Sequence, residues 1–425
     1  MQQSQRPTKQ VIRVPGVPLP SPEFAHAVRT GNWVFTSGIL ASDFESGLPE
    51  QVRSDPGLPL HGEHPLIRES EWILDQVETV LGAAGASFET AVRVDQFPTS
   101  REVINPYHLV RRRRVPPPRP ASTSVGVQSL IWKDCSIEVE MVALIKESGI
   151  KKEGIETDKI PQPIGGYVPA IRAGDFVFLA GQLPSDFKTG IPPEADAHPA
   201  FWEGNRIDRQ TRYVLNNIKL TLEAAGSSLE NVVKAQVYLA DLRDLPRMDR
   251  VWREYFPSNP PARSVLPGLG YGALGSLIEI NIVALTDAGR TLKEVFSPED
   301  ETPFLHESPV VRAGDLVFLS GLVAADRRGL ISSARVSDNY LGISARRQAD
   351  HILETADRLL RAAGSSASGI VRVESFFSDL HDALPVGAAF RERFATEQPA
   401  RTTVGVPELH VPGCSLLMDI WAVAD

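Results

Sequence analysis

The chain has 425 residues, of which 42% are hydrophobic and 23% are charged, with a formal net charge of −9. This length suits two to four globular domains, and this composition excludes a disordered, collagen-like or membrane-spanning chain. The acidic balance argues against a nucleic-acid partner, since nucleic-acid-binding domains usually carry a basic face.

The N-terminus and the cysteines favour a cytoplasmic protein. Residues 1–10 are polar and lack the apolar core of a signal peptide. The two cysteines, Cys135 and Cys414, stand at matching places of the repeat described next, which is typical of shared ancestry and not of a disulfide. We therefore expect reduced thiols, a cytoplasmic location and no membrane partner.

Three short landmarks recur in the same order along the chain. The pattern Arg-x-Gly-x-x-Val-Phe-x-x-Gly occupies residues 29–38, 172–181 and 312–321. Ala-Ala-Gly-x-Ser follows at 83–87, 224–228 and 362–366, and Pro-Ala follows at 120–121, 261–262 and 399–400. A shared period of about 140 residues predicts three tandem copies of one domain, each large enough to bury its own core. We place the copies at 11–147, 160–287 and 303–425, separated by polar, loop-like stretches.

The middle copy shows the predicted elements in chain order. Its hydrophobic patterns predict a strand at 175–180, a helix at 211–225, a strand at 232–239, a helix at 245–255, a strand beginning at 263–266 and a closing strand at 277–285. This order predicts an α+β fold with both helices on one face of a mixed sheet. The opposite face of the sheet also has to be buried, and three such sheets can bury these faces against one another around a central axis.

The landmarks carry a family resemblance. The Val-Phe-Leu-Ser-Gly run, the Ala-Ala-Gly-Ser-Ser helix end, the Pro-Ala-Arg strand start and the closing Ile-Glu-Ile-Asn-Ile-Val-Ala strand resemble the Rid family, the YjgF-like reactive-intermediate deaminases. The resemblance covers nearly the whole chain, three times. It implies chorismate-mutase-like domains arranged as an intramolecular pseudo-trimer that acts as a monomer, with pockets in the clefts between neighbouring copies.

The same resemblance implies a reaction. Family members hydrolyse small carboxylate-bearing enamines or imines, such as 2-aminoacrylate, without a metal or an organic cofactor. Others deaminate aminomuconate-type intermediates in aromatic catabolism. Two alternatives stay open, because copies can diverge within one chain: a non-catalytic module that binds small carboxylates or holds proteins, and a ring-opening or dechlorinating hydrolase.

The family signature is an arginine that binds the substrate carboxylate, and we call its place the clamp position. A guanidinium suits this role because its fork binds a carboxylate through two hydrogen bonds. The matching residues are Ser122, Arg263 and Arg401. The first copy has therefore lost the clamp, and Arg401 is expected to bind a ligand in a second cleft.

The second family element is a glutamate of the closing strand, at what we call the acid position. Without gaps, the copies align Glu138, Glu279 and Leu417 there. Only the middle copy retains both elements, so Arg263 and Glu279 are predicted to form one competent cleft. Arg263 would orient the carboxylate, and Glu279, with a pKa raised by burial, would activate water.

The remaining family positions are mixed among the copies. A pocket tyrosine corresponds to Phe24, Tyr167 and Glu307, and a helix asparagine corresponds to Asn105, Asp249 and Gly387. A Ser-Gly pair whose amide also meets the substrate carboxylate corresponds to Ser37-Gly38, Ala180-Gly181 and Ser320-Gly321. The resemblance therefore implies substrate contacts for Tyr167, Ser37, Gly38, Gly181, Ser320 and Gly321.

The run Arg111–Arg114 is the one basic cluster that interrupts the acidic balance. It closes a predicted helix, where cations complement the helix dipole. We interpret it as a solvated helix end, with a carboxylate or phosphate site and a nucleic-acid contact as alternatives.

Overall fold

The computed structural model of the chain describes residues 8–21, 24–54, 57, 62–197, 206–298, 305–335 and 344–424. No helix within these ranges has the length and apolar character that a bilayer crossing requires. Cys135 and Cys414 are both buried free thiols, and their sulfurs approach the equivalent carbonyl oxygens of Ala41 and Ala324.

Each copy contributes two helices to the described part of the chain. They are α1 (Pro65–Ala83) and α2 (Ile104–Arg114) in copy 1, α3 (Arg206–Ala224) and α4 (Leu245–Tyr255) in copy 2, and α5 (Ser344–Ala362) and α6 (Ala383–Phe394) in copy 3. The first helix of every copy ends just before a glycine with positive φ, at Gly85, Gly226 and Gly364. Glycine adopts this left-handed conformation without a steric penalty, which explains the Ala-Ala-Gly landmark.

The strands follow the same order in every copy. Copy 1 contains β1 (Gln10–Ile12), β2 (Ala27–Thr30), β3 (Trp33–Thr36), β4 (Ile39–Leu40), β5 (Ala91–Pro98), β6 (Ala121–Ser124), β7 (Ser129–Leu130) and β8 (Ile137–Leu144). Copy 2 contains β9 (Lys152–Ile155), β10 (Ala170–Ala173), β11 (Phe176–Gln182), β12 (Val232–Leu239), β13 (Ala262–Pro267) and β14 (Ile278–Leu285). Copy 3 contains β15 (Lys293–Phe296), β16 (Val310–Ala313), β17 (Leu316–Leu319), β18 (Leu322–Val323), β19 (Ala325–Asp326), β20 (Gly329–Leu330), β21 (Ile370–Phe377), β22 (Ala400–Gly405) and β23 (Leu416–Val423).

The stretches expected to be plain linkers contain strands. β9 pairs antiparallel with β10, and β15 pairs antiparallel with β16. Each linker therefore extends the sheet of the copy that follows it, upstream of the start predicted from the sequence. Their short Lys-Glu-Gly-Ile and Lys-Glu-Val-Phe runs are too polar to show a strand pattern, but pairing at a sheet edge satisfies their backbone groups.

The closing strand lies in the middle of each sheet. In copy 2 the order is β13-β12-β14-β11-β10-β9, with β12 and β13 parallel and the other neighbours antiparallel. The registers of the outer copies confirm the ungapped alignment of the closing strands. Glu138 lies opposite Phe97 and Leu417 lies opposite the equivalent Phe376.

One apolar core joins the three sheets on the faces that the helices leave uncovered. It contains residues of every copy, among them Trp33, Phe178, Phe318 and Trp421, all 2% exposed or less. The ring centroids of Trp33 and Phe178 are 5.7 Å apart, and those of Phe318 and Trp421 are 4.8 Å apart. The contact between copies also repeats, since β6 packs on β11, β13 on β17 and β22 on β3.

Candidate active clefts between the copies

The strand that carries the clamp position docks on the Ser-Gly segment of the next copy. The Arg401 amide donates to Ser37 Oγ at 2.9 Å, and the Gly38 amide donates to the Arg401 carbonyl at 3.0 Å. Arg263 makes the same two bonds with Ser320 and Gly321, at 2.9 and 3.0 Å. Each cleft therefore combines the clamp position of one copy with the acid position of the next.

These bonds correct the role expected for the Ser-Gly pairs. The amides of Gly38 and Gly321 donate to backbone carbonyls of a neighbouring copy, so they are not directed at a ligand carboxylate. The hydroxyls of Ser37 and Ser320 likewise accept from backbone amides across the interface. The four residues line clefts but use these polar groups to join the copies.

The predicted cleft of Arg263 and Glu279 is wrong, because the two side chains leave opposite faces of one sheet. Arg263 pairs with Ala235, whose side chain belongs to the core under the helices. Glu279 pairs with Tyr238, whose side chain belongs to a cluster between the copies. Residues directly opposite on neighbouring strands share a face, so Arg263 lies on the helix-covered face, where it contacts Asp249 and, from copy 3, Glu307. Glu279 lies on the other face, towards copy 1.

The interface of copies 3 and 1, here called cleft 3/1, holds both a clamp arginine and an acid. The Arg401 guanidinium carbon lies 3.8 Å from the ring centroid of Phe24 and 4.4 Å from that of Phe390. Glu138 is 2% exposed, and its Oε1 lies 3.4 Å from the Thr403 amide. Cation–π contacts on both sides hold the guanidinium in place.

Burial raises the pKa of the Glu138 carboxyl to about 8. Its Oε2 is buried without a hydrogen-bond partner among the described residues. A Cβ at Gly38 would lie 1.8 Å from Glu138 Oε1, so only glycine leaves room for this carboxyl. The acid that packs on Gly38 therefore explains why the first landmark ends in glycine. Because its pKa is raised, this carboxyl is neutral at pH 7.

The interface of copies 1 and 2, cleft 1/2, has the acid but a serine at the clamp position. Glu279 resembles Glu138: burial raises its pKa to about 8, and a Cβ at Gly181 would lie 1.9 Å from its Oε1. A cavity of ≈ 310 Å³ opens beside it. Its lining includes Asn105, His108, Leu109, Arg112, Ser122, Ile164, Gly165, Tyr167, Leu183, Phe187 and Glu279.

The interface of copies 2 and 3, cleft 2/3, keeps Arg263 but has Leu417 at the acid position. Arg263 is fully buried, and its Nη2 lies 2.5 Å from Asp249 Oδ1 while its Nε lies 3.4 Å from Glu307 Oε2. Asp249 and Glu307 occupy the family's asparagine and tyrosine positions. The protein's own carboxylates thus neutralise the positive charge of Arg263, which the resemblance would leave for a substrate carboxylate to neutralise.

The basic run at the end of α2 is not a uniformly solvated helix end. Arg112 and Arg113 are exposed, but Arg111 is completely buried. Its Nη1 donates to the Ser122 hydroxyl and to Gln96 Oε1, and its Nη2 donates to the Gly165 carbonyl at 3.1 Å. A guanidinium from the helix therefore lies beside the clamp position that Ser122 occupies.

Sequence reasoning missed one residue of these clefts, Arg111, and the cleft partner of another, Glu138. Arg111 follows Ile104 and Tyr107 at helical spacing on the buried face of α2, and this periodicity was a usable signal. Glu138 was identified at an acid position, but no sequence pattern pairs it with the clamp of another copy. That pairing follows only from the order in which the copies meet.

The fold and clefts define a class of protein, an α+β repeat with pockets between like domains. The family model described as Endoribonuclease L-PSP matches residues 17–145, 157–286 and 299–424. The chain therefore belongs to this family, the Rid family predicted from its landmarks, and contains three tandem copies of its domain.

Curated relatives match single copies. A RutC family protein of Pyrococcus horikoshii is 49% identical over 112 residues, which is 26% of this chain and 81% of the relative. The 3-aminoacrylate deaminase RutC of Acinetobacter baylyi is 37% identical over 133 residues, 31% of this chain and 97% of the relative. The chloroplastic Reactive Intermediate Deaminase A of Arabidopsis thaliana is 34% identical over 140 residues, 33% of this chain and 69% of the relative.

Solved structures give similar matches. A putative endoribonuclease of Thermotoga maritima is 34% identical, with 32% of this chain and 99% of that chain covered and a TM-score of 0.28. The TdcF protein of E. coli, determined with bound serine, is 27% identical, with 32% and 99% covered and a TM-score of 0.28.

Proposed function

We propose that the chain hydrolyses a small carboxylate-bearing enamine or imine to the keto acid and ammonia in cleft 3/1. One observation carries this proposal: in cleft 3/1 the buried Glu138 carboxyl of copy 1, with its raised pKa, lies beside the strand of copy 3 that carries Arg401. It is supported by the relatives named 3-aminoacrylate deaminase and Reactive Intermediate Deaminase A. The substrates proposed are 2-aminoacrylate-like or aminomuconate-like.

Arg401 binds the substrate carboxylate in this proposal. Its guanidinium stays charged and donates in its own plane, while Phe24 and Phe390 lie over it. The carboxylate places the adjacent C=C–NH₂ group towards Glu138. Binding through the carboxylate also draws electron density from the reacting carbon, which favours attack by water.

Glu138 supplies the proton chemistry. As a neutral acid it donates its proton to the terminal enamine carbon, which converts the enamine to an iminium. The resulting carboxylate accepts a proton from water as the water oxygen bonds to the iminium carbon. That proton passes to nitrogen as the carbon–nitrogen bond breaks and ammonia leaves. The hydroxyl group then gives its proton to Glu138 as the carbonyl forms, which restores the neutral acid.

We further infer that the single chain is the counterpart of a trimer of separate domains. The shared apolar core and the cyclic contacts between copies support this arrangement. Because the copies are covalently joined, the three clefts need not be alike. One cleft can therefore retain the reaction while the other two change their ligands.

The test is the rate of ammonia release from 2-aminoacrylate generated in the assay, measured against its spontaneous decay, with an aminomuconate as the second substrate. We expect acceleration by the native chain and its loss in Glu138→Gln and Arg401→Met. Arg263→Met serves as the matched control, since that arginine lies in another cleft. No acceleration of either substrate, or full activity in Glu138→Gln, would refute the proposal.

A further inference from the structure

The second helices of the three copies are in register with one another. They begin at the same distance after the preceding strand, at Ile104, Leu245 and Ala383. Asp249 of copy 2 and Gly387 of copy 3 are therefore equivalent to His108 of copy 1. The resemblance implied Asn105, one turn earlier, for this place. An imidazole thus stands in cleft 1/2 where the other copies have a carboxylate or no side chain.

Copy 1 has changed this position together with the clamp. In copies 2 and 3 the helix places an aromatic ring, Trp252 or Phe390, over the clamp guanidinium at 4.8 and 4.4 Å. In copy 1 the equivalent helix residue is Arg111, and the clamp position is Ser122. The Arg111 guanidinium donates to the Ser122 hydroxyl but is not among the described groups that line the cavity. This cavity therefore has no arginine at the clamp position.

His108 and Glu279 line the same cavity of ≈ 310 Å³, one from each copy. The His108 and Tyr167 rings both pack on Gly165, where a Cβ would lie 3.3 Å from His108 Cε1 and 2.7 Å from Tyr167 Cε1. Burial and the neighbouring Glu279 raise the pKa of the Tyr167 hydroxyl. The tyrosine therefore lies between the imidazole and the carboxyl on one wall of the cavity.

At neutral pH the imidazole is a base and the carboxyl is an acid. Burial raises the pKa of Glu279 to about 8, so this carboxyl is protonated at pH 7. Burial and two neighbouring arginines lower the pKa of His108 well below its usual value, so the imidazole is neutral. The Ser124 hydroxyl donates to Gln96 Oε1 at 2.8 Å, so it accepts from His108 Nε2, which lies 3.4 Å away. The lone pair of the ring is accordingly on Nδ1.

The Ser122 hydroxyl supplies a hydrogen-bond donor to the cavity wall. Its oxygen accepts from Arg111 Nη1 and, at 3.2 Å, from Gln96 Nε2. Its own proton has only a contact of 3.4 Å with Gln96 Oε1, which already accepts from Ser124. The hydroxyl can therefore donate to a carbonyl oxygen of a ligand, and the cation behind it strengthens that bond.

The rest of the lining favours an uncharged ligand with an apolar body. Leu109, Ile164, Leu183 and Phe187 contribute apolar groups, and Arg112, the one cation among the described lining residues, is exposed. An acid and a base beside a hydroxyl donor suit proton abstraction next to a carbonyl. A weak base needs an acidic C–H, such as one between two carbonyl groups. We propose that cleft 1/2 catalyses the keto–enol isomerisation of an uncharged β-dicarbonyl compound.

The proton transfers balance within the site. His108 Nδ1 takes a proton from the carbon between the two carbonyls, and the electron pair of that C–H bond forms the C=C bond. Glu279 gives its proton to the carbonyl oxygen that becomes the enol hydroxyl, while Ser122 donates to the other oxygen. The imidazolium proton then passes through solvent to the Glu279 carboxylate, which restores both groups.

The proposal is tested with benzoylacetone in deuterium oxide, by following the loss of its central C–H signal in NMR spectra. The full chain should accelerate this exchange roughly a hundredfold over buffer, which is the contribution of a positioned acid or base. His108→Gln and Glu279→Gln should each return the rate to near the buffer value. Leu183→Trp, which fills the cavity and keeps both groups, should do the same.

His381→Gln is the matched control, because that histidine is exposed on copy 3. It should exchange at the native rate, and thermal unfolding should show that every variant is folded. No acceleration by the native chain, a native rate in folded His108→Gln or Glu279→Gln, or an equal loss in His381→Gln would overturn the proposal. The result does not depend on ammonia release in cleft 3/1, so either reaction can fail without the other.

Discussion

At the scale of single residues, burial changes the chemistry of a glutamate. Glu138 and Glu279 pack on glycines of their own sheets and lose contact with water, so each has a pKa of about 8. A carboxyl that is neutral at pH 7 can donate a proton, which an ordinary surface glutamate cannot do. The family resemblance identified the acid positions in the sequence, but their protonation depends on packing between copies.

The pH dependence of the reaction should follow Glu138. Burial raises the pKa of this carboxyl to about 8, so its protonated fraction falls as pH rises through that value. Because the first step uses the protonated form, kcat for ammonia release should decrease above pH 8. The profile is to be measured with substrate decay subtracted at each pH. A rate that rises steadily to pH 10 would contradict the acid role.

Arg263 should prove to be a structural residue. Arg263→Met leaves Asp249 and Glu307 buried without their cation, which should lower the free energy of unfolding by about 3 kcal/mol. Ammonia release should stay at the native level, because cleft 3/1 does not contain this residue. The measurements are denaturant unfolding and the deaminase assay.

The control for that variant removes the acids as well. Arg263→Met combined with Asp249→Asn and Glu307→Gln should recover much of the lost stability, since no unpaired charge is left. If Arg263→Met alone abolished ammonia release while folding normally, catalysis would have to be reassigned to cleft 2/3.

At the scale of elements, one glycine of the strand-end landmark serves two purposes. Gly38 follows β3, bonds to the clamp strand of copy 3 and leaves room for Glu138 of the closing strand. In copy 3 the acid position holds Leu417, and a Cβ at Gly321 would meet Ser264 Oγ at 3.0 Å. The same landmark is therefore under different constraints in different copies.

Gly38→Ala should abolish ammonia release, because a Cβ 1.8 Å from Glu138 Oε1 must displace that carboxyl. Gly321→Ala demands only a small shift of the Ser264 side chain and backbone, so activity should remain. Thermal unfolding and the deaminase assay on both variants distinguish a local effect from general misfolding. Equal activity of the two variants would show that Glu138 is not needed where the structure places it.

The elements also show what could be predicted from the sequence. Landmark spacing and hydrophobic periodicity predicted the three copies and their two helices, since these depend on local pattern, whereas the acid positions came from the family resemblance. Arg263 and Glu279 were joined wrongly because spacing along a chain does not say which face of a sheet each side chain leaves. The order in which copies meet is a long-range property, and it alone puts Arg401 and Glu138 at the same interface.

At the scale of the whole molecule, a buried polar network lies between the three sheets. Its bases are Arg93, Arg372 and Lys234, and its acids are Asp95, Glu140, Glu374 and Asp419. The contacts cross between copies: Arg372 of copy 3 pairs with Asp95 of copy 1, and Gln236 of copy 2 bonds to Glu374 of copy 3. Burial raises the pKa of Glu374 well above its usual value, and burial also raises that of Glu140, while Arg372 opposes both shifts.

This network and the shared apolar core should make the three copies unfold as one unit. Arg372→Met removes the cation that contacts Asp95, Glu140 and Glu374, which should cost about 3 kcal/mol or more. Scanning calorimetry should then show one transition shifted to lower temperature. Arg361→Met, which breaks an exposed pair with Asp357, is the matched control and should shift it little. If Arg372→Met instead split the transition, or lowered only the part due to copy 3, the copies would be independent folding units, because the charge that crosses their interfaces would not couple them.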